Sequence, residues 1–309
     1  MTLSLRNIKT TLLAICLIAL SISGELLSAQ ESASEPVTDD LSTLTGNDLV
    51  KVEVHADTLR FQPGQALTLA VQYAIRPGWH IYWRNPGDNG MPPRVSVQAA
   101  PGVVVGEVLY PRPEIFQKKQ ETSFGYQGTV CLLVPLRITQ GFAASRLDLA
   151  IQLEWLVCKD ICLIGSEQVS LSIPAERPQR PHAVDPTGLR LVNVWRNRMP
   201  LPAAEARISA AIRGDSLLVS GPAGLSKRVL FIPELTPGVT PARRAPVAGT
   251  VIGRRFTVEI PLDIRPEDAL DQPLRAAGLV LLGTYERPRA IAVDVPVPHS
   301  APDESSSKQ

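Results

Sequence analysis

Short apolar runs that alternate with polar residues constrain the fold of this chain more than any other feature. The first half of the chain contains seven of them, at residues 50–56, 66–75, 79–84, 103–110, 129–138, 146–157 and 167–173. Pro-Gly pairs such as Pro63-Gly64 separate several of these runs and are typical of turns. The chain also has 28 prolines, which favours strands broken by turns over long helices. An all-β fold is therefore predicted.

Two domains are predicted from the distribution of these runs. Seven short strands with turns between them indicate an antiparallel β-sandwich over residues 48–176. A second strand-rich region predicts another sandwich of similar size over residues 199–298. The segment 177–198 between them begins with several prolines and is predicted to be a linker. Within it, Asp185 followed by Pro186 is typical of a helix start, so the linker should contain a short helix.

The N-terminus has the order of charged, apolar and small residues that is typical of a secretory signal. Residues 1–29 are predicted to be a signal peptide, and Cys16 would be lost with it. A retained membrane anchor is the alternative, although the apolar run 12–20 is shorter than the ~20 residues that a span needs. No later segment has the length of a span, so a periplasmic protein with no membrane span in its mature form is expected. Disulfides can persist in that compartment.

Two polar stretches flank the predicted domains. Residues 30–47 are acidic and free of periodic apolar residues, so they are predicted to be a flexible leader. Residues 299–309 are predicted to be a disordered tail. Over the whole chain, 31 Lys and Arg residues nearly balance 30 Asp and Glu residues. This balance argues against binding to nucleic acid or to an anionic membrane.

Cys158 and Cys162 are separated by three residues and are the candidate site. Thiol exchange needs a thiolate and a second thiol that resolves the mixed disulfide. Lys159 would favour the thiolate, whereas Asp160 would oppose it. The pair follows a predicted strand, so it is expected at a strand end or turn. Spacing alone leaves redox exchange, metal binding and a structural disulfide open.

Each alternative makes a different demand on the pair. A structural bridge that closes so short a loop would stabilise the fold by only about 2 kcal/mol in the chain-entropy model. Two thiolates suit Cu(I), but the chain has four scattered histidines and no Cys/His cluster that would complete a zinc site.

Cys131 lies in an apolar run and is predicted to be a core residue, with a stray reactive thiol as the alternative. Trp79, Trp83 and Trp155 are also predicted to lie in the core.

Three segments together resemble a known family. Residues 77–95 (PGWHIYWRNPGDNGMPPRV), 123–138 (SFGYQGTVCLLVPLRI) and 153–173 (LEWLVCKDICLIGSEQVSLSI) are similar to the N-terminal periplasmic domain of DsbD-type thiol:disulfide interchange proteins. The similarity is greatest to the branch called copper-sensitivity suppressor protein B. The second half resembles the additional region of that branch more weakly, at residues 228–235 and 274–283. The resemblance implies an immunoglobulin-like fold, so two immunoglobulin-like sandwiches in tandem are expected.

The resemblance also implies roles for individual residues. Cys158 and Cys162 would be the exchanging thiols, with Cys162 as the sulfur that meets the partner. His80 and Tyr82 fall where aromatic side chains shield the pair in the family; ordinary sandwich packing is the alternative for both. Phe116 or Phe124 would belong to a covering loop.

The function implied is thiol:disulfide interchange, which makes the protein a thiol-disulfide oxidoreductase that needs no cofactor. The sequence contains no membrane domain and no thioredoxin domain, so electrons are expected from a membrane-embedded DsbD-like reductase acting in trans. The acceptors would be periplasmic thioredoxin-like proteins or other disulfide substrates. A Cu(I)-binding copper-tolerance protein and a non-catalytic interaction module with a structural disulfide are the alternatives. The second domain is expected to serve in docking or spacing.

Overall fold

The structure of the protein is a computed structural model that describes residues 43–176, 183–269, 271–283 and 289–298. The predicted signal peptide, with Cys16, and the predicted tail 299–309 lie outside the described residues. The end of the predicted leader 30–47 is described. There Gly46 and Asn47 begin helix α1 (Gly46–Leu49), which Thr45 and Asp48 cap through reciprocal hydrogen bonds.

The first sandwich consists of two sheets. Its strands are β1 (Val50–Ala56), β2 (Ala66–Ile75), β3 (His80–Gly87), β4 (Arg94–Ala99), β5 (Val103–Val105), β6 (Glu114–Lys118), β7 (Glu121–Tyr126), β8 (Thr129–Ile138), β9 (Arg146–Cys158) and β10 (Cys162–Pro174). One sheet has the order β1-β2-β8-β5, and the other has the order β10-β9-β3-β7-β6, with β4 also paired to β9. All of these pairings are antiparallel.

Alternation along β9 shows how the sequence places the core. Leu149, Ile151, Leu153 and Trp155 are buried, whereas the residues between them are more exposed. Strands β2 and β8 instead have long runs of buried residues. Both faces of those strands are covered, because a helix from the linker packs on their outer side.

That helix is α2 (Pro186–Arg196), and it starts where the sequence predicts. The Asp185 carboxylate accepts hydrogen bonds from the backbone N–H groups of Thr187 and Gly188 at 2.9 and 3.3 Å, as an N-cap does. Gly188 lies so close to strand β1 that an added Cβ would come within 1.9 Å of the Ala56 carbonyl oxygen. In the part of the chain that the structure describes, no helix has the length and apolarity to cross a membrane.

The second sandwich also consists of two sheets. Its strands are β11 (Leu201–Pro202), β12 (Ser209–Arg213), β13 (Ser216–Pro222), β14 (Val229–Pro233), β15 (Val239–Pro241), β16 (Val247–Ala248), β17 (Thr250–Ile252), β18 (Arg255–Ile264), β19 (Arg275–Leu282) and β20 (Arg289–Pro296). The sheet orders are β11-β20-β19-β14-β16 and β12-β13-β18-β15, with β17 also paired to β18. A 3-10 helix (Pro266–Ala269) precedes β19. The predicted all-β fold is confirmed.

The two sandwiches contact each other through polar and apolar groups. The Arg84 guanidinium donates to the carboxylate of Glu234, which is 9% exposed. Burial raises the pKa of Glu234, and the charge of Arg84 opposes this shift. The side-chain amide of Asn85 donates to the Pro233 carbonyl. Residues of β14, β19 and β20 also belong to the same hydrophobic cluster as the first sandwich.

Several strand boundaries differ from the sequence-based predictions. The strand predicted at 103–110 ends at Val105; beyond it, the Gly106 N–H donates to the Pro135 carbonyl and Leu109 forms an isolated bridge with Leu133. Strands β4, β6 and β7 were not predicted. The segments of β6 (EIFQK) and β7 (ETSFGY) lack the apolar alternation that identifies the other strands, whereas β4 (RVSVQA) alternates over only six residues.

Candidate functional site

The cysteine pair lies at the end of the longest hairpin in the protein's described part. Strand β9 ends at Cys158 and β10 begins at Cys162, so the prediction that the pair lies at a strand end is confirmed. The two strands pair antiparallel along their whole length, with Cys158 opposite Cys162. The sulfurs are joined in a disulfide, with Cα atoms 4.2 Å apart. The turn between them is closed by a hydrogen bond from the Lys159 N–H to the Ile161 carbonyl at 3.1 Å.

The two cysteines differ in their access to solvent. Cys162 is exposed, whereas Cys158 is only 3% exposed. Cys158 follows the inward-facing Val157, so alternation places its side chain on the outer face of the sheet. Other side chains must therefore cover Cys158 on that face. An approaching protein would meet the Cys162 sulfur first.

Strand β3 supplies part of this cover. His80 lies directly opposite Cys158 in the pairing of β3 with β9, and residues so placed have Cβ atoms about 4.5–5.5 Å apart. The His80 ring lies 5.1 Å from the Tyr82 ring and 4.9 Å from the Phe116 ring. The Tyr82 hydroxyl lies 4.0 Å from the Cys162 sulfur. His80, Tyr82 and Phe116 therefore come together around the disulfide.

Phe116 and Phe124 occupy different places, although both lie on the β6–β7 hairpin rather than in an irregular loop. Phe116 is half-buried beside His80. Phe124 is fully buried and contacts Trp83 edge to face, with ring centres 6.3 Å apart. Phe124 therefore faces the core of the sandwich.

An ion pair lies beside the turn that links the two cysteines. The Lys118 ammonium lies 2.8 Å from the Asp160 carboxylate, and this hydrogen bond lowers the pKa of Asp160. Lys159 is exposed in the same turn. Burial raises the pKa of Tyr82, with a smaller contribution from Glu121. Tyr82 is thus held as a neutral phenol beside the sulfurs.

Two residues that shape this site were not predicted from the sequence, Gly90 and Lys118. An added Cβ on Gly90 would come within 2.3 Å of the Tyr82 ring. The Tyr82 ring can therefore occupy its position only because Gly90 has no side chain. The motif NPGDNG marks Gly90 only as part of a turn. Lys118 was missed because strand β6 carries no clear alternation.

Residues predicted to lie in the core do so. Trp79 is 6% exposed, while Trp83 and Trp155 are fully buried. Cys131 is also fully buried, and burial raises the pKa of its thiol to about 12. A buried thiol with so high a pKa is unreactive. Among the described residues, no group of three or more His, Cys, Asp and Glu side chains is placed to hold a metal ion.

Titration of His80 predicts an effect of pH on stability. Burial lowers the pKa of His80 below its ordinary value of 6.5, and Lys118 lowers it further. The unfolded chain therefore binds more protons than the folded protein below about pH 6.5. The stability contributed by His80 is complete above that value and is lost as the pH falls through the folded pKa.

Replacing His80 should reduce this acid sensitivity. In His80→Phe and His80→Gln, the free energy of unfolding should fall less between about pH 7.5 and about pH 5 than in the unmodified protein. Urea titrations at both pH values measure the difference. His80→Phe keeps the ring packing and His80→Gln does not, so a shared change reports titration rather than packing. If both variants kept the pH dependence of the unmodified protein, His80 would not be the group whose protonation lowers stability.

Comparison with known proteins finds a family match for the first sandwich. Residues 47–174 match the family model described as thiol:disulfide interchange protein DsbD, N-terminal. The N-terminal periplasmic domain of ScsB from Proteus mirabilis is similar in structure, with a TM-score of 0.56 and 17% sequence identity over 82% of this chain and 96% of that chain. The reduced N-terminal domain of DsbD from Neisseria meningitidis has a TM-score of 0.28 and 11% identity over 44% of this chain and 93% of that chain. No curated protein sequence matches the chain.

The ScsB structure bears on the fold, and the family model bears on the extent of the first sandwich. The likeness to ScsB extends over both sandwiches and confirms the all-β, immunoglobulin-like fold class. The family match covers the whole stretch from helix α1 to the end of β10, including the disulfide. Residues 47–174 therefore match the N-terminal domain family of DsbD-type thiol:disulfide interchange proteins.

Proposed function

We propose that the protein passes reducing equivalents to other proteins through Cys158 and Cys162. The observation that carries this proposal is the difference in exposure within one disulfide. Cys162 is exposed and Cys158 is almost fully buried beside it. This arrangement gives one sulfur that a partner can reach and one that resolves the mixed disulfide from within the site.

The exchange proceeds by two sulfur displacements. In the reduced protein, the Cys162 thiolate attacks one sulfur of a partner disulfide, and the other partner sulfur leaves as a thiolate. The Cys158 thiolate then attacks the Cys162 sulfur and displaces the partner's remaining thiolate. The Cys158–Cys162 bond forms, two electrons have passed to the partner, and the two protons lost by the cysteines balance those taken up by the partner thiolates. No cofactor is needed, because each step exchanges one S–S bond for another.

The packing around the pair supports this chemistry. His80, Tyr82 and Phe116 cover the outer face on the side of Cys158 but leave Cys162 exposed. The paired charges of Lys118 and Asp160 cancel beside the turn, so Lys159 is the cation left to favour a thiolate. Attack from outside is thereby directed to Cys162.

The partners follow from the family and from the location of its members. The similar ScsB domain is periplasmic, and a periplasmic location is proposed for this protein. A membrane-embedded DsbD-like reductase acting in trans would reduce the pair, and periplasmic thioredoxin-like proteins or other disulfide substrates would accept the electrons. In this role the protein is a thiol-disulfide oxidoreductase.

The reduction potential of the pair tests the proposal. The protein is equilibrated in thiol–disulfide buffers of known potential, and the reduced fraction is measured by alkylation and mass spectrometry. A potential above roughly −300 mV is expected, because structural disulfides in secreted proteins lie below that value. A lower value would favour the interaction module with a structural bridge. Tight binding of one Cu(I) ion by the reduced pair, without exchange activity, would favour the copper-tolerance alternative.

A further inference from the structure

A cavity of about 810 Å3 lies where the first sandwich, helix α2 and the second sandwich meet. Its wall is formed by residues 111, 112, 114, 126, 127, 129 and 130 of the first sandwich, residues 195–199 at the end of α2, and residues 201, 289 and 290 of the second sandwich. This volume falls in the range of about 300–1,000 Å3 that small-molecule sites occupy. Such sites also occur preferentially at domain junctions.

Positive charge dominates the lining of this cavity. Four arginines contribute to it, Arg112, Arg196, Arg198 and Arg289, against a single acidic residue, Glu114. Within the described residues, none of the four guanidinium groups has a carboxylate at ion-pair distance. Among the described residues, Glu114 is therefore the one acidic side chain in the lining that offsets this positive charge.

Two of these arginines have partners near the helix end. The Arg196 guanidinium donates to the Thr68 hydroxyl at 3.3 Å, and the Arg198 guanidinium lies 4.4 Å from the centre of the Trp195 ring. Positive side chains at a helix C-terminus are favourable on their own. The helix end therefore accounts for Arg196 and Arg198, but not for the other two cations.

Arg112 and Arg289 reach the cavity from separate domains. Arg112 follows Pro111 in the first sandwich and is half-buried, whereas Arg289 is exposed at the start of β20. Burial lowers the pKa of Arg112, which reflects the cost of removing its charge from water, and the charge of Glu114 opposes this shift. An anion in the cavity would offset that cost.

We propose that this cavity binds a small anion that carries two or more carboxylate or phosphate groups. Guanidinium groups bind such oxygens with paired hydrogen bonds. Arg112 and Arg289 would contact the anion from opposite domains, and the Trp195 and Met199 side chains provide apolar surface for its carbon skeleton. The ligand would therefore tie the two sandwiches together. The proposal is independent of the thiol chemistry.

Isothermal titration calorimetry of the protein tests this site with citrate and pyrophosphate as probes, against sodium chloride at equal ionic strength. Saturable binding of citrate or pyrophosphate is expected. Arg289→Ala and Arg112→Ala should each weaken it about tenfold or more, because each removes a charged hydrogen bond. Arg213→Ala, which removes an exposed arginine from β12, serves as the matched control and should not change the affinity.

Arg289 is exposed, so its variant tests the proposal even if Arg112→Ala fails to fold. The absence of saturable heat beyond that of sodium chloride would overturn the proposal, and so would equal weakening by Arg213→Ala. Sedimentation with phosphatidylglycerol vesicles distinguishes a lipid headgroup from a free anion. Vesicle binding without binding of citrate or pyrophosphate would also overturn it.

Discussion

Serine at either position of the Cys158–Cys162 pair is expected to abolish dithiol exchange, yet the two variants should differ in reactivity. Exchange needs both sulfurs, because the second thiol resolves the mixed disulfide. Cys158→Ser leaves the exposed sulfur of Cys162, and Cys162→Ser leaves the 3% exposed Cys158. Access limits attack on a disulfide reagent, so Cys158→Ser should react about tenfold faster or more than Cys162→Ser.

Stopped-flow absorbance with an aromatic disulfide reagent measures this difference. Both variants should fold, because a bridge that closes so short a loop contributes only about 2 kcal/mol. Cys131→Ala is the matched control: it removes the buried thiol outside the pair and should leave exchange intact. Equal rates for Cys158→Ser and Cys162→Ser, or a faster rate for Cys162→Ser, would contradict the assignment of Cys162 as the attacking sulfur.

Trp155→Ala is expected to lower the free energy of unfolding by about 3–5 kcal/mol. Trp155 is fully buried, and its ring contacts that of Tyr73 edge to face at 5.9 Å. Its indole N–H donates to the Gly46 carbonyl at 3.4 Å. The substitution therefore opens a cavity and leaves the site hairpin with less support, since Trp155 lies three residues before Cys158 on β9.

Urea denaturation followed by circular dichroism measures this loss, and Gly165→Ala provides a complementary test. Gly165 lies opposite Trp155 in the β9–β10 pairing, and an added Cβ would come within 2.3 Å of the indole ring. Crowding there should cost about 1–3 kcal/mol. Val194→Ala on the exposed side of α2 is the control and should change stability by less than about 0.5 kcal/mol. A loss below about 1 kcal/mol for Trp155→Ala would contradict this account of the core.

Local patterns in the sequence were enough to find the hairpin that carries the site. Alternation from Leu147 to Val157 identifies β9, and the cysteine that follows it marks the strand end. Asp185 and Pro186 likewise identify the start of α2. These features depend on residues that are close in sequence, so the chain alone reveals them.

Features that depend on pairing between distant segments could not be found in this way. His80 meets Cys158 only because β3 and β9 pair in one particular register, and a single sequence carries no direct signal for that register. The ion pair between Arg84 and Glu234 joins residues 150 positions apart. Strand β6 lacks alternation, so Lys118 and Phe116 could not be assigned to the hairpin that brings them to the turn.

The full-length pairing of β9 with β10 has a consequence for repeated opening and closing of the disulfide. Opening the Cys158–Cys162 bond releases only a ring of five residues, while the backbone ladder from Leu163 to Pro174 holds the hairpin together. The oxidised and reduced proteins should therefore share one scaffold. Dissociation of a partner would then be governed by which sulfurs are bonded, and each turnover would begin from the same shape.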